Sequence, residues 1–301
     1  MTDFVFPIRH VYRPYETESV STDYSFIYKA QDLLLQKDVC IKEVRISGTN
    51  SDDIERNLQA ARREAMTMSR VSEKTSFVPA IHLTYFDKKQ QKFFIIMDWV
   101  PGKTLDKYIE DGPAHAKEHE FLTWIEELCD ILAVMAEQKV YHKDIKPANI
   151  IIDKKRRLHL LDFSISSSLP NKIEGTAYYK APEMENASTV KRDKADIFSI
   201  GVIMYQYYCR KIPQKGVEYG QQSIRRNNPD WDKFVSPKEL NPKVSNRINN
   251  IILNCMQKNP AERMNVFQLK KLISDAKSEV GRHGKEEQRR DTKRSFETRN
   301  K

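Results

Sequence analysis

Two neighbouring segments contain side chains that could hold and move a phosphoryl group. The first is YHKDIKPANIIID at residues 141–153, and the second is HLLDFS at 159–164. Asp144, Asn149 and Asp162 would supply hard oxygen ligands of the kind that Mg²⁺ prefers. A lysine two residues after the first aspartate would supply positive charge for an anionic phosphate. This spacing fits the needs of phosphoryl transfer, which are metal ligands, a cation and a group that orients a hydroxyl.

The elements before residue 100 that must position these groups are mostly strands. Alternating apolar and polar residues predict two strands of a hairpin, SFIYKAQD and KDVCIKEVRI, within residues 24–46. Residues 51–71 begin with acidic residues, end near Arg70 and repeat apolar residues every three or four positions, which predicts a helix. Two further strands are predicted in FVPAIHLTYFD and KFFIIMDWV. The Pro101-Gly102 pair that follows predicts a turn, which ends this series of strands.

After this turn the sequence is typical of helices. EHEFLTWIEELCDILAVMAEQKV predicts a long amphipathic helix, and ADIFSIGVIMYQYYC, apolar on nearly every side, predicts a fully buried one. NRINNIILNCMQ and VFQLKKLISDAK predict shorter helices. Strands followed by helices indicate an α+β protein with two lobes, which we expect at residues 1–100 and 101–280. Residues 281–301 are basic with few apolar side chains, and we expect them to be disordered.

The motifs of this chain resemble those of the eukaryotic-type protein kinases, including the related bacterial serine/threonine kinases, from about residue 20 to about 275. His142-Lys143-Asp144 through Asn149 is similar to the H-R-D-x-x-x-x-N pattern of the family, and Asp162-Phe163-Ser164 is similar to D-F-G. The resemblance implies a bilobal fold with a small antiparallel N-lobe and a larger, mostly helical C-lobe. It also implies that Asp144 is the catalytic base and that Asn149 and Asp162 bind metal. Lys146 would contact the transferred phosphate.

Further matches imply how the nucleotide is held. Val39-Cys40-Ile41-Lys42 is similar to V-A-I-K, so Lys42 would bind the α- and β-phosphates and pair with Glu64. The alternative interpretation of Glu64 is a solvent-exposed charge on the helix surface. Met97 would gate the adenine pocket, and core packing alone would equally explain an apolar residue there. By the same resemblance, the residues that enclose the base and join the lobes are Ile27, Cys40, Ile151, Asp98 and Val100.

Other matches concern the helical part. Ala181-Pro182-Glu183 is similar to A-P-E, and Glu183 would form a buried pair with Arg263, which informs the fold more than the activity. Asp196 would brace the catalytic loop. Thr176 matches the threonine that contacts the catalytic aspartate and lysine in serine/threonine kinases.

Three positions depart from the family pattern. Val20, Thr22 and Ser25 stand where three glycines would let backbone N–H groups approach phosphate, so we expect weaker phosphate contacts, in part replaced by nearby hydroxyls. Ser164 replaces the glycine of D-F-G and leaves Asp162 intact. Lys143 replaces the arginine of H-R-D and lacks its bidentate fork, so a strong phosphorylation switch is not expected.

Composition excludes several other classes. The four cysteines form no CxxC pair and have apolar neighbours, which indicates buried thiols rather than disulfides or a zinc site. The net charge is +9, but the segment from Gly281 holds eight lysines and arginines against four acids, and no nucleic-acid-binding signature accompanies the charge. No apolar run reaches the length of a membrane span and no secretory signal is found, so we expect a cytoplasmic protein.

The leading hypothesis is a serine/threonine protein kinase that uses ATP and Mg²⁺, phosphorylates protein hydroxyls and also phosphorylates itself. Every group that performs chemistry in the family is present. Two alternatives stay open. One is a non-catalytic pseudokinase scaffold, which only the glycine-free loop favours. The other is a small-molecule phosphotransferase. The GTAYYKAPE segment disfavours this alternative, because in the kinase family that segment shapes a peptide-binding surface.

Overall fold

The computed structural model describes residues 12–21, 25–112, 114–163, 178–185, 194–213 and 234–299, with side chains described as far as residue 282 and not at 16–21 or 185. The chain divides into two units. The first runs to Gly102 and also includes residues 161–163, and the second contains the rest of the described chain. The first unit is rich in strands and the second in helices, so the predicted α+β class is confirmed.

The first unit is an antiparallel sheet with one long helix. The bounds are β1 Tyr12–Ser21, β2 Ser25–Asp32, β3 Lys37–Arg45, α1 Ser51–Ser72, β4 Ile81–Asp87 and β5 Lys92–Asp98. The strands are arranged in the order β1-β2-β3-β5-β4. Both predicted strand pairs and the predicted helix are confirmed.

Helix α1 begins and ends as its sequence predicts. The Asn50 side chain caps its N-terminus by accepting a hydrogen bond from the backbone N–H of Asp53, and Arg70 lies in its last turn. The helix buries Leu58, Ala61 and other residues spaced three or four apart. This buried stripe fixes which face of α1 is turned inward.

The second unit consists mainly of helices. The bounds are β6 Gly102–Thr104, α2 Leu105–Asp111, α3 Glu118–Glu137, β7 Ile150–Asp153, β8 Leu158–Leu160, α4 Ala195–Cys209, α5 Pro237–Leu240, α6 Asn246–Cys255 and α7 Val266–Arg299. Its main helix contacts are α3 against α7 and α4 against α6. Helix α4 is buried from its first residue to Tyr207, as predicted from its apolar sequence. A Cβ atom at Gly201 would lie 2.7 Å from the Cβ of Cys255, so the close approach of α4 and α6 requires glycine there.

Helix α7 extends into the C-terminal segment. We expected residues 281–301 to be disordered, and the described backbone is helical as far as Arg299. Lysine, arginine and glutamate, which are frequent in this segment, have high helix propensity. A shortage of apolar residues removes the packing that stabilises a helix, but it does not remove this local preference.

The cysteines are all free thiols, as predicted. Cys129 and Cys255 are buried, and Cys40 and Cys209 are partly buried. Burial raises the pKa of the Cys40 thiol to about 11, although nearby Lys42 lowers it somewhat. Among the described residues, no helix is both long enough and apolar enough to cross a membrane.

Candidate active site

A buried ion-pair cluster lies in the first unit. Strand β3 holds Lys42 between Ile27 on β2 and Ile95 on β5. The Lys42 ammonium lies 2.6 Å from Oε1 of Glu64 and 2.8 Å from Oδ1 of Asp162. Lys42 and Glu64 are only 6% and 5% exposed. The predicted pairing of Lys42 with Glu64 is therefore present, and α1 supplies the glutamate from its buried face.

Electrostatics keep this lysine charged. Burial by itself would lower the pKa of Lys42, but the carboxylates of Glu64 and Asp162 outweigh burial and raise it above the ordinary lysine value. A permanently protonated, immobilised ammonium is suited to binding phosphate oxygens. One of its two partners, Asp162, is about one-third exposed, so the cluster is open to solvent on that side.

Asp162 adopts an unusual backbone conformation. Its φ angle is 61°, in the left-handed region that few residues other than glycine adopt. The next residue, Phe163, is completely buried. Strained backbone of this kind persists only where the surrounding structure enforces it, and it is concentrated at functional sites. In this conformation the Asp162 carboxylate lies 2.8 Å from the Lys42 ammonium.

Several residues predicted to enclose the base share one face of the first sheet. Ile27 lies directly opposite Lys42, and Cys40 lies directly opposite Met97. Cys40 and Lys42 are two positions apart on one strand, so all four side chains emerge on the same face. The register thus gives one apolar surface that leads to the ammonium group.

The remaining predicted base-enclosing residues are arranged differently. Val100 is buried next to the end of β5. The carboxylate of Asp98 accepts a hydrogen bond from the backbone N–H of Ala80 and lies 2.8 Å from Nε2 of His82. The Asp98 side chain therefore contacts β4, and any contact with a nucleotide would use its backbone. Ile151 belongs to the second unit, on β7 opposite His159.

The second unit holds the loop between α3 and β7. Lys146 Nζ lies 2.8 Å from Oδ2 of Asp144. The Asn149 side-chain amide donates to the backbone oxygen of Asp144 at 3.0 Å and to its Oδ2 at 3.2 Å. The structure thus brings the three predicted residues together. The brace from Asn149 to Asp144 was not predicted, because spacing alone does not reveal which way an amide points.

Asp196 braces this loop, as the resemblance implies. Its two carboxylate oxygens accept the backbone N–H groups of His142 at 2.8 Å and Lys143 at 2.7 Å. Lys143 has a φ angle of 67°, so the chain makes a left-handed turn immediately before Asp144. Burial raises the pKa of Asp196, and the charge of His142 and the two N–H donors oppose that effect. A buried carboxylate thus fixes the conformation of the loop.

A second buried pair stabilises the helical unit. Arg263 donates to both carboxylate oxygens of Glu183, at 2.6 and 3.0 Å, and also to the backbone oxygen of Lys194. Its guanidinium lies 5.0 Å from the centre of the Phe198 ring. The predicted pairing of Glu183 with Arg263 is present, and its full burial shows a structural role.

Several predicted residues lie outside the described part of the chain. Among them are Thr176 and Ser164. Residues 22–24, which include Thr22, also lie outside it. The strands that flank this loop are described, and Val20 pairs with Ile27 across β1 and β2. The hairpin therefore forms without glycine in its strands.

The side chains present fit a divalent metal by their chemistry. Asp162 offers a carboxylate, and both hydrogen bonds recorded for the Asn149 side chain use its nitrogen, which leaves its oxygen as a donor for a cation. Within the described ranges, no group of three or more histidines, cysteines, aspartates or glutamates is arranged as a metal site. Metal binding by these two residues stays a prediction.

Together these features define a class of protein. An antiparallel sheet with a buried lysine–glutamate pair, and a helical unit with a braced Asp–Lys–Asn loop, are characteristic of the protein kinases. The family model for the protein kinase domain matches residues 21–272. The chain therefore belongs to the protein kinase family, and its fold is the bilobal kinase fold.

Named relatives are bacterial serine/threonine kinases. The chain is 29% identical to the serine/threonine-protein kinase PrkC of Bacillus subtilis over 249 residues, which is 79% of this chain and 36% of that protein. It is 26% identical to the serine/threonine-protein kinase PknB of Mycolicibacterium smegmatis over 257 residues, covering 79% of this chain and 38% of that protein. The chain thus spans little more than a third of the length of these relatives.

Proposed function

We propose that this chain is an active serine/threonine protein kinase that transfers the γ-phosphate of ATP to protein hydroxyls, including its own. The observation that carries the proposal is the assembled cluster of Lys42, Glu64 and Asp162. A phosphate-binding lysine must be held by its glutamate partner for catalysis in this family. Here the pair is formed and buried and its lysine is charged, although the loop that precedes it lacks glycine.

Each group of the second unit has a role in this reaction. Asp144 orients the substrate hydroxyl and accepts its proton late in the transfer. Lys146, already 2.8 Å from Asp144, places positive charge where the phosphoryl group passes. The amide of Asn149 holds the Asp144 carboxylate in place. This bracing keeps the catalytic oxygen in one position before the substrate arrives.

The nucleotide would be held by the first unit. Lys42 binds the α- and β-phosphates, while Ile27, Cys40 and Met97 form the apolar surface for the base. The side chains of Asp162 and Asn149 would hold Mg²⁺, which when bound neutralises charge on the phosphates. We include a cytoplasmic location in the proposal because ATP, the phosphate donor, is available in the cytoplasm.

The alternative is a scaffold that binds partners without catalysis. The glycine-free segment between β1 and β2 is the observation that favours it, because the stiff, β-branched Thr22 stands where backbone N–H groups would approach phosphate. The catalytic cluster opposes it, because a protein that had lost catalysis would have no need of the Lys42–Glu64 pair and the Asp144 brace together.

The direct test is transfer of labelled γ-phosphate from Mg-ATP to the protein itself and to a generic basic protein. Wild type should incorporate label, and Asp144→Ala should not. Asp111→Asn, which changes an exposed carboxylate in the same unit, is the matched control and should behave as wild type. A folded wild-type protein that binds ATP and incorporates no label would favour the scaffold.

A second test concerns Asp162. Asp162→Asn removes one carboxylate from Lys42 and the charged metal ligand, so phosphoryl transfer should be abolished. Because the Asp162 side chain is one-third exposed, thermal unfolding should change little. Retained transfer activity in this variant would remove Asp162 from its proposed role.

A further inference from the structure

The turn between β2 and β3 exposes two adjacent leucines. Leu34 and Leu35 are 79% and 63% exposed, and in the described part of the chain no other large apolar side chain is as exposed as either. Apolar surface left in water is unfavourable, so two such side chains together at one turn need an explanation. Exposed apolar clusters of this kind are typical of contact surfaces.

Hydrogen bonds hold the backbone of this turn in one conformation. The carboxylate of Asp32, which is only 5% exposed, accepts the backbone N–H groups of Leu34 and Leu35, both at 2.9 Å. Gln36 has a φ angle of 52°, and its side-chain amide donates to the backbone oxygen of Leu33 at 2.6 Å. The leucines are therefore presented from a fixed backbone, which loses little conformational entropy on binding.

A second turn in the same unit shows that this geometry does not require leucine. After Asp87, between β4 and β5, the aspartate carboxylate again accepts the N–H groups two and three positions later, at 2.8 and 3.1 Å. Gln91 again has a φ angle of 52° and donates to the backbone oxygen three positions earlier. The segments DLLLQK at 32–37 and DKKQQK at 87–92 thus form the same turn. The leucines are not needed to make it.

Cations flank the exposed leucines. Arg13 on β1, opposite the strand that leads into the turn, and Lys37, the first residue of β3, are both exposed. The acids nearby are bonded within the protein, because Asp32 holds the turn and Asp38 lies 3.3 Å from the ammonium of Lys29. An apolar tip beside such cations is suited to an anionic surface.

Aromatic side chains lie behind the tip. The ammonium of Lys29 is 4.8 Å from the centre of the Tyr15 ring and 5.3 Å from that of Trp99. Lys29 precedes Asp32 by three positions, which is about 10 Å along a strand. Tryptophan, tyrosine and lysine are typical of the headgroup level of a membrane. With these residues at that level, the leucines would lie deeper.

The small size of the tip favours a lipid surface over a protein partner. A stable protein interface buries about 800 Å² on each side, which is far more than two leucine side chains provide. A bilayer needs no complementary shape, because apolar side chains can enter the boundary between its headgroups and acyl chains. The neighbouring cations add attraction to phosphate groups there.

We propose that the β2–β3 turn inserts Leu34 and Leu35 into the surface of a membrane that contains anionic lipids. Arg13 and Lys37 then contact the lipid phosphates. This is a peripheral, reversible contact, because only two side chains enter the bilayer. The inference goes beyond the function proposed above and does not depend on it.

Binding is tested by sedimentation of the full chain with lipid vesicles. Wild type should bind vesicles of phosphatidylcholine mixed with phosphatidylglycerol at least about fivefold more tightly than vesicles of phosphatidylcholine alone. The variant Leu34→Lys/Leu35→Gln copies the residues at the matching positions of the β4–β5 turn, so the turn should be kept. Although this variant gains a positive charge, its binding to mixed vesicles should be weaker by about tenfold or more, because each buried leucine contributes about that factor.

Charge variants test the role of the flanking cations. Lys37→Gln should weaken binding to mixed vesicles about fivefold. Lys89→Gln removes the same charge from the β4–β5 turn, at the opposite end of the sheet, and should change binding by less than about twofold. Phe267→Ser removes an apolar side chain that is 59% exposed in the second unit and should also have less than a twofold effect.

Insertion is measured directly with a fluorophore whose emission shifts to the blue in apolar surroundings. It is attached to Leu35→Cys and, in a matched sample, to Lys89→Cys, and wild type treated in the same way gives the background from native cysteines. Mixed vesicles should shift the emission at position 35 and leave that at position 89 unchanged. An unshifted emission at position 35 in vesicle-bound protein would overturn the proposal.

Sedimentation equilibrium without lipid tests the alternative of a second copy of the chain. Wild type and Leu34→Lys/Leu35→Gln should have the same oligomeric state. Self-association that the variant loses, without vesicle binding by wild type, would assign the leucines to a contact between copies and overturn the proposal, as would equal vesicle binding by both proteins. Asp144→Ala should bind vesicles like wild type, so a failure of this inference is distinguishable from a failure of the proposed function.

Discussion

Replacing Lys42 alone should cost more stability than replacing Lys42 and Glu64 together. The two side chains are 2.6 Å apart and almost completely buried. Lys42→Met leaves the Glu64 carboxylate buried without its ammonium partner. Removing one member of such a pair costs about 3–5 kcal/mol, and we expect about 3 kcal/mol because the carboxylate can take up a proton.

The double variant Lys42→Met/Glu64→Leu should be less affected. Apolar replacement of a whole buried ion pair is often neutral, so we expect a loss of about 1 kcal/mol. Lys42→Met is then about 2 kcal/mol less stable than the double variant. The remaining acid of the cluster, Asp162, is one-third exposed and can be solvated, so it adds little to the cost.

The assay is urea unfolding of the protein without nucleotide, followed by fluorescence and circular dichroism. Both variants should lack phosphoryl transfer, so only the stability measurement distinguishes them. Lys74→Met, at an exposed lysine just after α1, is the control and should change stability by less than about 0.5 kcal/mol. If Lys42→Met and the double variant unfold at the same urea concentration, the reasoning from a buried pair is refuted.

Three further predictions concern the second unit. Asp196→Asn replaces one of two acceptor oxygens by a donor that faces a backbone N–H. It should lower the free energy of unfolding by about 2 kcal/mol, and it should reduce kcat while changing KM for ATP less. Arg263→Lys loses the bidentate contact with Glu183 and should lower the free energy of unfolding by about 2 kcal/mol in urea titrations. Burial raises the pKa of Asp153, but hydrogen bonds, first that from the Arg157 N–H, outweigh it and leave the pKa lowered. The native pKa therefore lies below the unfolded value of about 4, so Asp153 stabilises the protein above that pH and this contribution is lost as pH falls further. Thermal unfolding measured against pH should show a smaller acid-induced loss in Asp153→Asn than in wild type.

Specific outcomes would contradict these three predictions. Unchanged kcat in a folded Asp196→Asn protein would show that the N–H contacts do not position the loop. Equal stability of Arg263→Lys and wild type would show that a point charge suffices for Glu183. An identical acid profile in Asp153→Asn would assign the acid sensitivity to other carboxylates.

The sequence alone determined the α+β class, the strands of the first unit and α1, because apolar spacing and capping residues act over a few neighbouring positions. It also predicted which residue types carry the chemistry, since the spacing from Asp144 to Asn149 is a local property. The disorder of residues 281–301 stays a prediction, because low hydrophobicity and high helix propensity favour different outcomes there.

Only the tertiary structure decided how distant residues meet. Lys42 and Asp162 are 120 positions apart, and no local pattern shows that Asp162 belongs with the first unit or adopts a left-handed backbone. Contacts between remote segments depend on how whole elements pack, and that packing is set by the summed burial of many side chains rather than by any one of them.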